Sequence, residues 1–134
     1  MKPKHLHAKL DDARIVAAIA DAESKTTGRI HIFISHRHLG KDDVMQRARA
    51  RFEKLRLTST EAHNTILIYL LPHEQKFAIL GDSGIHEKCG AECWNALAEQ
   101  MRNHLVREEF AEAILDTIQQ AGQLLATHFP QRPL

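Results

Sequence analysis

The chain lacks features that mark several broad classes of protein. Lys plus Arg number 18 and Asp plus Glu number 17, so the charge balance argues neither for nor against a nucleic-acid partner. We expect no nucleic-acid partner. No uninterrupted apolar run approaches the length that crosses a bilayer, so we also expect no transmembrane segment. The first residues carry charge but no apolar core, which is not typical of a secretory signal. These absences favour a cytoplasmic protein.

Cysteine is scarce, with two residues, Cys89 and Cys93, four positions apart on a predicted helix. At that spacing the side chains point the same way, but the backbone of a helix is poorly placed for a disulfide, so we expect a reduced thiol pair. His86 shares the predicted face, which could hold zinc, although the spacing matches no familiar structural zinc pattern. Buried thiols are the simpler interpretation, and the role of these three residues stays open.

The chain has the length of one compact domain. Its 134 residues leave room for one proper core, so we predict a single domain over residues 1–134 with its core at about 10–130. Ten histidines are the unusual feature of the composition. Those buried as neutral rings should destabilise the fold when protonated, so we expect stability to fall below neutral pH.

Residues 64–85 form the stretch around which the rest is arranged. Two short apolar runs are joined by Pro72, His73 and Glu74, which is typical of a β-hairpin. The second run ends in Gly81-Asp82-Ser83-Gly84, where glycine permits a sharp turn and an acid or hydroxyl can cap a following helix. We therefore expect a site at the exit of the hairpin.

Periodicity on either side of the hairpin predicts a small α/β fold. Helical spacing, alternating strands and helix stop signals give the element order α-β-α-β-β-α-α. A strand, helix and strand in succession make a parallel crossover, while the hairpin adds an antiparallel neighbour. The prediction is a three-layer α/β/α sandwich, Rossmann-like, with a small mixed sheet.

This topology places polar residues at two ends of the sheet. Both parallel strands enter, and the third strand exits, at one end. The residues expected to converge there are Glu23, Thr27, Asn64, Asp82 and Ser83. The residues expected at the opposite end are His36, Arg37, His38, Asp42, Asp43, His73 and Glu74. Asp42 and Asp43 are better explained as partners of a helix dipole than as metal ligands.

Several short words of the sequence, taken in order, resemble the TPM domain family. They are Ala22-Glu23, Thr26-Thr27-Gly28, residues 64–69, Gly81-Asp82-Ser83-Gly84-Ile85, Cys93-Trp94 and His128-Phe129-Pro130. The resemblance spans roughly Ile15 to Pro130. It implies an α/β/α sandwich of bacterial and plastid proteins, some described as acid phosphatases or as binding calcium, and others as serving membrane-protein maintenance.

Two positions depart from the family pattern. Arg29 stands where an acidic residue commonly follows the glycine, and Thr65 stands where glycine usually follows the asparagine. The first departure removes an acidic residue that could serve as a metal ligand. The second removes a glycine that would allow a close approach of the backbone.

The resemblance and the polar end of the sheet together suggest a phosphatase acting on phosphate monoesters with a divalent cation. We expect calcium as the cation, Asp82, Glu23 and Asn64 as its ligands, and Asp82 and Ser83 as catalytic residues. The sequence carries no Gly-x-Ser-x-Gly or Gly-x-x-x-x-Gly-Lys pattern. The alternative is a non-catalytic module that binds calcium or a protein partner, in which Asp82 and Ser83 cap a helix and Glu23 ends one.

Overall fold

A computed structural model describes residues 12–35, 37–55, 63–71 and 74–131. Within these residues the elements are α1 (Asp12–Glu23), β1 (Arg29–Ile34), α2 (Val44–Leu55), β2 (Thr65–Leu71), β3 (Lys76–Gly81), α3 (Ser83–Cys89), α4 (Ala91–Val106) and α5 (Phe110–His128). Asp11, His36, Pro72 and His73 lie outside the described residues, so the predicted turn of the hairpin is described only from Glu74 onward.

The three strands form one mixed sheet in the order β1-β2-β3. β1 runs parallel to β2, with Arg29 opposite Thr65, and β2 runs antiparallel to β3, with Ile66 opposite Gly81. All seven residues of β2 are buried, because helices cover both faces of the sheet at its central strand. The predicted parallel crossover and hairpin are confirmed.

Alternate residues of β2 pack into two separate cores. Ile66, Ile68 and Leu70 face a large cluster that also holds buried residues of α1, α4 and α5. Leu67, Tyr69 and Leu71 face a smaller cluster that α2 covers. Since successive side chains of a strand point to opposite faces, this division makes three layers. The predicted α/β/α sandwich is confirmed. Among the described residues, no helix combines the length and the apolar character needed to cross a membrane.

The region after the hairpin contains one more helix than the sequence predicts. The predicted order has two helices after the hairpin, but the structure has three there, because Ser83–Cys89 is a helix of its own with Asp82 as its N-cap. Gly90 then has φ +77°, which ends α3 and lets α4 begin in a new direction. The prediction that Asp82 caps a helix is confirmed, and the prediction of two helices after the hairpin is wrong.

The break between α3 and α4 places the two cysteines on different helices. Cys89 ends α3 and Cys93 lies in the first turn of α4, so they do not share one continuous helical face. They form a disulfide, with Cα atoms 5.9 Å apart, within the usual range for such bonds. The predicted reduced thiol pair is therefore wrong, because that prediction assumed an unbroken helix. A cytoplasmic location stays a prediction.

Candidate functional site

Asp82 lies directly after β3 and is buried, with 5% of its surface exposed. Its backbone N–H donates to the carbonyl of Thr65 at 2.9 Å, and its Oδ1 accepts from the N–H of Ser83 at 2.8 Å. Its other carboxylate oxygen, Oδ2, is buried and has no hydrogen-bond partner. Buried carboxylate oxygens are seldom left unpaired, because the loss of hydration is then uncompensated. Asp82 thus caps a helix with Oδ1, while its Oδ2 makes no hydrogen bond.

His63 is the side chain that faces this oxygen. Its Nδ1 lies 3.8 Å from Asp82 Oδ2, beyond hydrogen-bond range, and about half of the His63 side chain is exposed. The carbonyl of His63 accepts from the N–H of Gly84 at 2.9 Å, which ties the entry of β2 to the start of α3. His63 also has φ +53°, a left-handed conformation uncommon for residues other than glycine. Left-handed backbone at a residue other than glycine, here beside a buried carboxylate, is found most often at functional sites.

Asn64 and Thr27 complete the same end of the sheet. Asn64 is fully buried, and its Nδ2 donates to Thr27 Oγ1 at 3.1 Å. Its carbonyl accepts from the N–H of Arg29 at 3.3 Å. The structure therefore brings Thr27, Asn64 and Asp82 to one end of the sheet, around the start of β2. Thr65, a departure from the family pattern, is buried there and holds Asp82 through its carbonyl.

Glu23 is placed on the other side of β1. Its Oε2 accepts from the N–H of Ile30 at 2.8 Å. The neighbouring N–H, of Arg29, points toward β2, so the N–H of Ile30 points to the open edge of the sheet. Glu23 thus covers the edge of β1, and the structure does not bring its carboxylate into the group around Asp82.

His31 lies on the same edge strand as this contact. Burial lowers the pKa of its imidazole, as does the positive charge of Arg29, while the carboxylate of Glu23 opposes both. The net effect favours the neutral ring. Glu23 thus pairs with the open edge of β1, and the imidazole of His31 on the same strand favours its neutral form.

Ser83 is exposed and is the first residue of α3. Its N–H donates to Asp82 Oδ1, which is a capping bond. The structure places its hydroxyl next to the candidate site along the chain. Its predicted catalytic role stays a prediction.

The opposite end of the sheet is held together by Arg47 and Glu74. Arg47 donates to the carbonyls of Arg37, His38 and Leu39 and to Asp42 Oδ2. Glu74 Oε1 accepts from the N–H of Leu39 at 2.9 Å and lies 2.7 Å from His38 Nδ1. These contacts close the loop between β1 and α2, so Asp42, Glu74 and His38 have structural partners.

The Asp82 end of the sheet offers an anionic oxygen of the kind that hard cations bind. Calcium and magnesium take oxygen ligands, and the unpaired Asp82 Oδ2 supplies one anionic oxygen. The nearby carbonyls of His63, Asn64 and Thr65 each accept a backbone hydrogen bond. A carboxylate oxygen suits magnesium as well as calcium.

The family model of the TPM domain, named TPM_phosphatase, matches residues 6–124. This match covers most of the chain. The chain belongs to the TPM domain family. No curated protein matches it.

Two solved structures of bacterial proteins resemble this TPM domain. One is the NMR structure of BA42 from Bizionia argentinensis, with 30% identity and a TM-score of 0.82, covering 93% of this chain and 84% of that one. Another is the N-terminal domain of cg2496 from Corynebacterium glutamicum, with 18% identity and a TM-score of 0.63, covering 84% of this chain and 70% of that one. The second likeness concerns the fold alone.

His63 was missing from the predicted site. It directly precedes Asn64, at the entry of β2, and this position was the available signal. Its proximity to Asp82 depends on the antiparallel pairing of β2 and β3, which brings the start of one strand beside the end of the other. The predicted site consisted of carboxylate, amide and hydroxyl side chains, so it did not include the imidazole of His63.

Proposed function

We propose that this TPM domain binds a divalent cation at the loop after β3, with Asp82 Oδ2 as the anionic ligand. The supporting observation is that this buried oxygen has no hydrogen-bond partner while its twin caps α3. A cation beside it compensates the buried charge, which a capping role alone leaves unexplained. Calcium is the ion expected from the family resemblance, and magnesium suits the same oxygen.

A phosphate group suits the remaining positions of such a cation. Magnesium in particular is often held by one or two carboxylates together with substrate phosphates. A phosphate-bearing small molecule is therefore the ligand class that we propose for this site. Asn64 contributes through its bond to Thr27, which fixes the end of β2 beside Asp82. In this proposal Glu23 supports the sheet edge and is not a ligand.

Hydrolysis of phosphate monoesters is the finer proposal, and the position of His63 favours it. Its half-exposed imidazole lies 3.8 Å from Asp82 Oδ2, where it can exchange protons with solvent and with a ligand held beside the carboxylate. Protonation of the leaving oxygen is a task suited to such a group. The competing proposal is a binding module without catalysis, in which the same loop holds calcium or a protein partner.

Calorimetry with calcium and with magnesium tests the cation site. The unmodified protein should bind one ion per chain, and Asp82→Ser should lose binding while remaining folded, because serine keeps a capping oxygen but removes the carboxylate. Glu23→Gln is the matched control and should bind normally. Absence of binding by the unmodified protein, or normal binding by Asp82→Ser, contradicts the proposal.

Hydrolysis of an aryl phosphate, measured with and without the bound ion, separates the enzyme from the binding module. The enzyme hypothesis expects cation-dependent turnover that falls in His63→Gln, with cation affinity retained. Ser83→Ala tests the predicted catalytic hydroxyl in the same assay. Cation binding without turnover supports the non-catalytic module and rejects the phosphatase.

A further inference from the structure

A second group of metal-ligating side chains lies at the far end of α3. The sulfur atoms of Cys89 and Cys93 and an imidazole nitrogen of His128 all lie within 4.8 Å of one another. All three side chains are partly buried. The two sulfurs form a disulfide in this structure, so the group is in its oxidised form.

The fold assembles this group from three different helices. Gly90 separates the C-terminus of α3 from the start of α4, so Cys89 and Cys93 approach across a corner. His128 is the last residue of α5, more than thirty positions further along the chain. The group therefore depends on how the end of α5 is held.

Several contacts hold the end of α5 in place. The hydroxyl of Thr26 lies 3.1 Å from the carbonyl of Leu125 and also contacts the carbonyl of Phe129. The N–H of Thr27 donates to the carbonyl of Phe129 at 3.1 Å. Lys88, next to Cys89, lies over the ring of Phe129 with its Nζ 5.8 Å from the ring centroid. His128 is thus kept beside the cysteines by contacts that do not involve its own ring.

Two thiolates and one imidazole form a donor set that zinc prefers. Tetrahedral zinc with Zn–S bonds of about 2.3 Å places two sulfurs roughly 3.8 Å apart, so the disulfide must open before both can ligate. All three donor atoms already lie within 4.8 Å of one another, so small side-chain rotations after reduction can bring them around one ion.

We propose that the reduced chain binds one zinc ion through Cys89, Cys93 and His128, and that oxidation to the disulfide abolishes this site. A thiol reductant supplies two electrons and two protons, the S–S bond breaks, and two thiols form while the reductant becomes a disulfide. Zinc then displaces the two thiol protons and accepts both sulfurs as ligands. The same two atoms serve either the covalent bond or the metal.

The fourth position of this zinc opens toward solvent. A groove of about 280 Å³ between α4 and α5 is lined by Cys93 and His128 together with polar residues that include Gln100, Gln123 and Thr127. Three protein ligands with a water in the fourth position characterise zinc sites that exchange ligands. The ion therefore remains accessible to a small ligand from this groove.

Zinc titration of the full chain, in both redox states, tests the proposal. A phosphine reductant opens the disulfide without adding a competing thiol, and a chromogenic chelator reports the zinc that the protein withdraws. The reduced protein should bind one zinc per chain, and the oxidised protein should bind none at this site. Cobalt in place of zinc should give thiolate-to-metal absorption in the reduced protein alone.

Three variants identify the ligands. Cys93→Ser and His128→Gln should each weaken zinc binding by more than about 100-fold, since loss of even an outer-shell partner costs 10–100-fold. His86→Gln is the matched control, because His86 lies on α3 near Cys89 but contacts the ring of Trp94. It should bind zinc like the unmodified protein.

Several results overturn the proposal. They are an absence of zinc binding by the reduced protein, equal binding by the oxidised protein, one zinc shared by two chains, and His128→Gln binding as tightly as the unmodified protein. The comparison of redox states uses the unmodified chain, so it decides the matter even if a variant fails to fold.

Discussion

The two ends of α3 present opposite metal chemistries. At its N-terminus Asp82 offers a carboxylate oxygen, and at its C-terminus Cys89 lies beside a second sulfur and an imidazole. Seven helical residues separate them by about 10 Å at 1.5 Å per residue. Hard oxygen donors suit calcium or magnesium, and soft sulfur donors suit zinc. One short helix thus separates the two proposed sites, which should not compete for the same ion.

The two ends also differ in how the chain builds them. The Asp82 end is made by residues at the ends of neighbouring strands, held by backbone hydrogen bonds to Asp82 and His63. The thiol end needs the terminus of α5 and the corner at Gly90. The first end depends on the hairpin, and the second on packing between distant helices.

The largest expected effect is that two variants each lose binding of a different kind of metal ion. Asp82→Ser should lose calcium or magnesium and keep zinc, because only the oxygen end loses its anion. In the reduced protein, Cys93→Ser should lose zinc and keep calcium or magnesium. Calorimetry of each variant with each ion measures this. If either variant loses both kinds of ion while still folded, the two ends are one coupled site.

Two glycines distinguish the ends by structure. A Cβ at Gly81 would lie 2.1 Å from Trp94 Cζ2, so Gly81→Ala must displace a bulky ring and should cost about 1–3 kcal/mol of unfolding free energy. A Cβ at Gly90 meets nothing within 4 Å, but φ +77° disfavours alanine, at a cost of roughly 1–3 kcal/mol.

Urea unfolding measures both costs, and metal titration then separates them. Gly81→Ala should weaken cation binding at Asp82, whereas Gly90→Ala should weaken zinc binding by the reduced chain. An unchanged stability for Gly81→Ala would mean that Trp94 moves without cost.

A smaller effect separates capping from ligation at Asp82. Asp82→Ala removes the acceptor of the Ser83 N–H and should cost about 0.5–2 kcal/mol, whereas Asp82→Ser keeps an acceptor and should cost less. Thermal unfolding without added metal measures the difference. A large loss of stability in both variants would show that the carboxylate supports the fold beyond its capping bond.

The smallest expected effect is on the pH dependence of the unfolding free energy. Burial lowers the pKa of His31, so its contribution is present above the unfolded pKa near 6.5 and is lost as pH falls below it. His31→Gln should reduce the loss of stability on acidification. Unfolding midpoints between neutral and mildly acidic pH measure this.

His104 has the opposite sign. Its hydrogen bond to Glu109 is the main cause that raises its pKa, with Asp116 adding to it. Its contribution is therefore present below the unfolded pKa and is lost as pH rises through the folded one. His104→Gln should flatten the alkaline side of the profile. The sequence-based expectation of a simple loss on acidification omits this opposing histidine, so the net profile should be shallower than that expectation.

The sequence predicted the elements whose signal is local. The two short apolar runs of the hairpin and the turn residues after β3 predicted the hairpin within the sheet and the cap at Asp82. Helix α3 has only two turns and is separated from α4 by Gly90, so it was not predicted, and the prediction for the two cysteines was wrong as a result. Glu23 was grouped with Asp82 because both lie at one end of the sheet. In the structure Glu23 contacts the β1 edge, whereas Asp82 follows β3 at the opposite edge. His63 and His128 reach their groups through strand pairing and helix packing, which no local pattern encodes. The domain extent, residues 1–134, stays a prediction.

The most direct test is a nuclear magnetic resonance titration of the reduced, nitrogen-15-labelled chain, first with calcium and then with zinc. Calcium should shift the amide of Ser83, which donates to Asp82, and zinc should shift the amide of Gly90, between the two cysteines. The amide of Ile30, bonded to Glu23, should move with neither ion. A calcium shift centred on Ile30, or both ions acting on the same end of α3, would contradict the account of two separate sites.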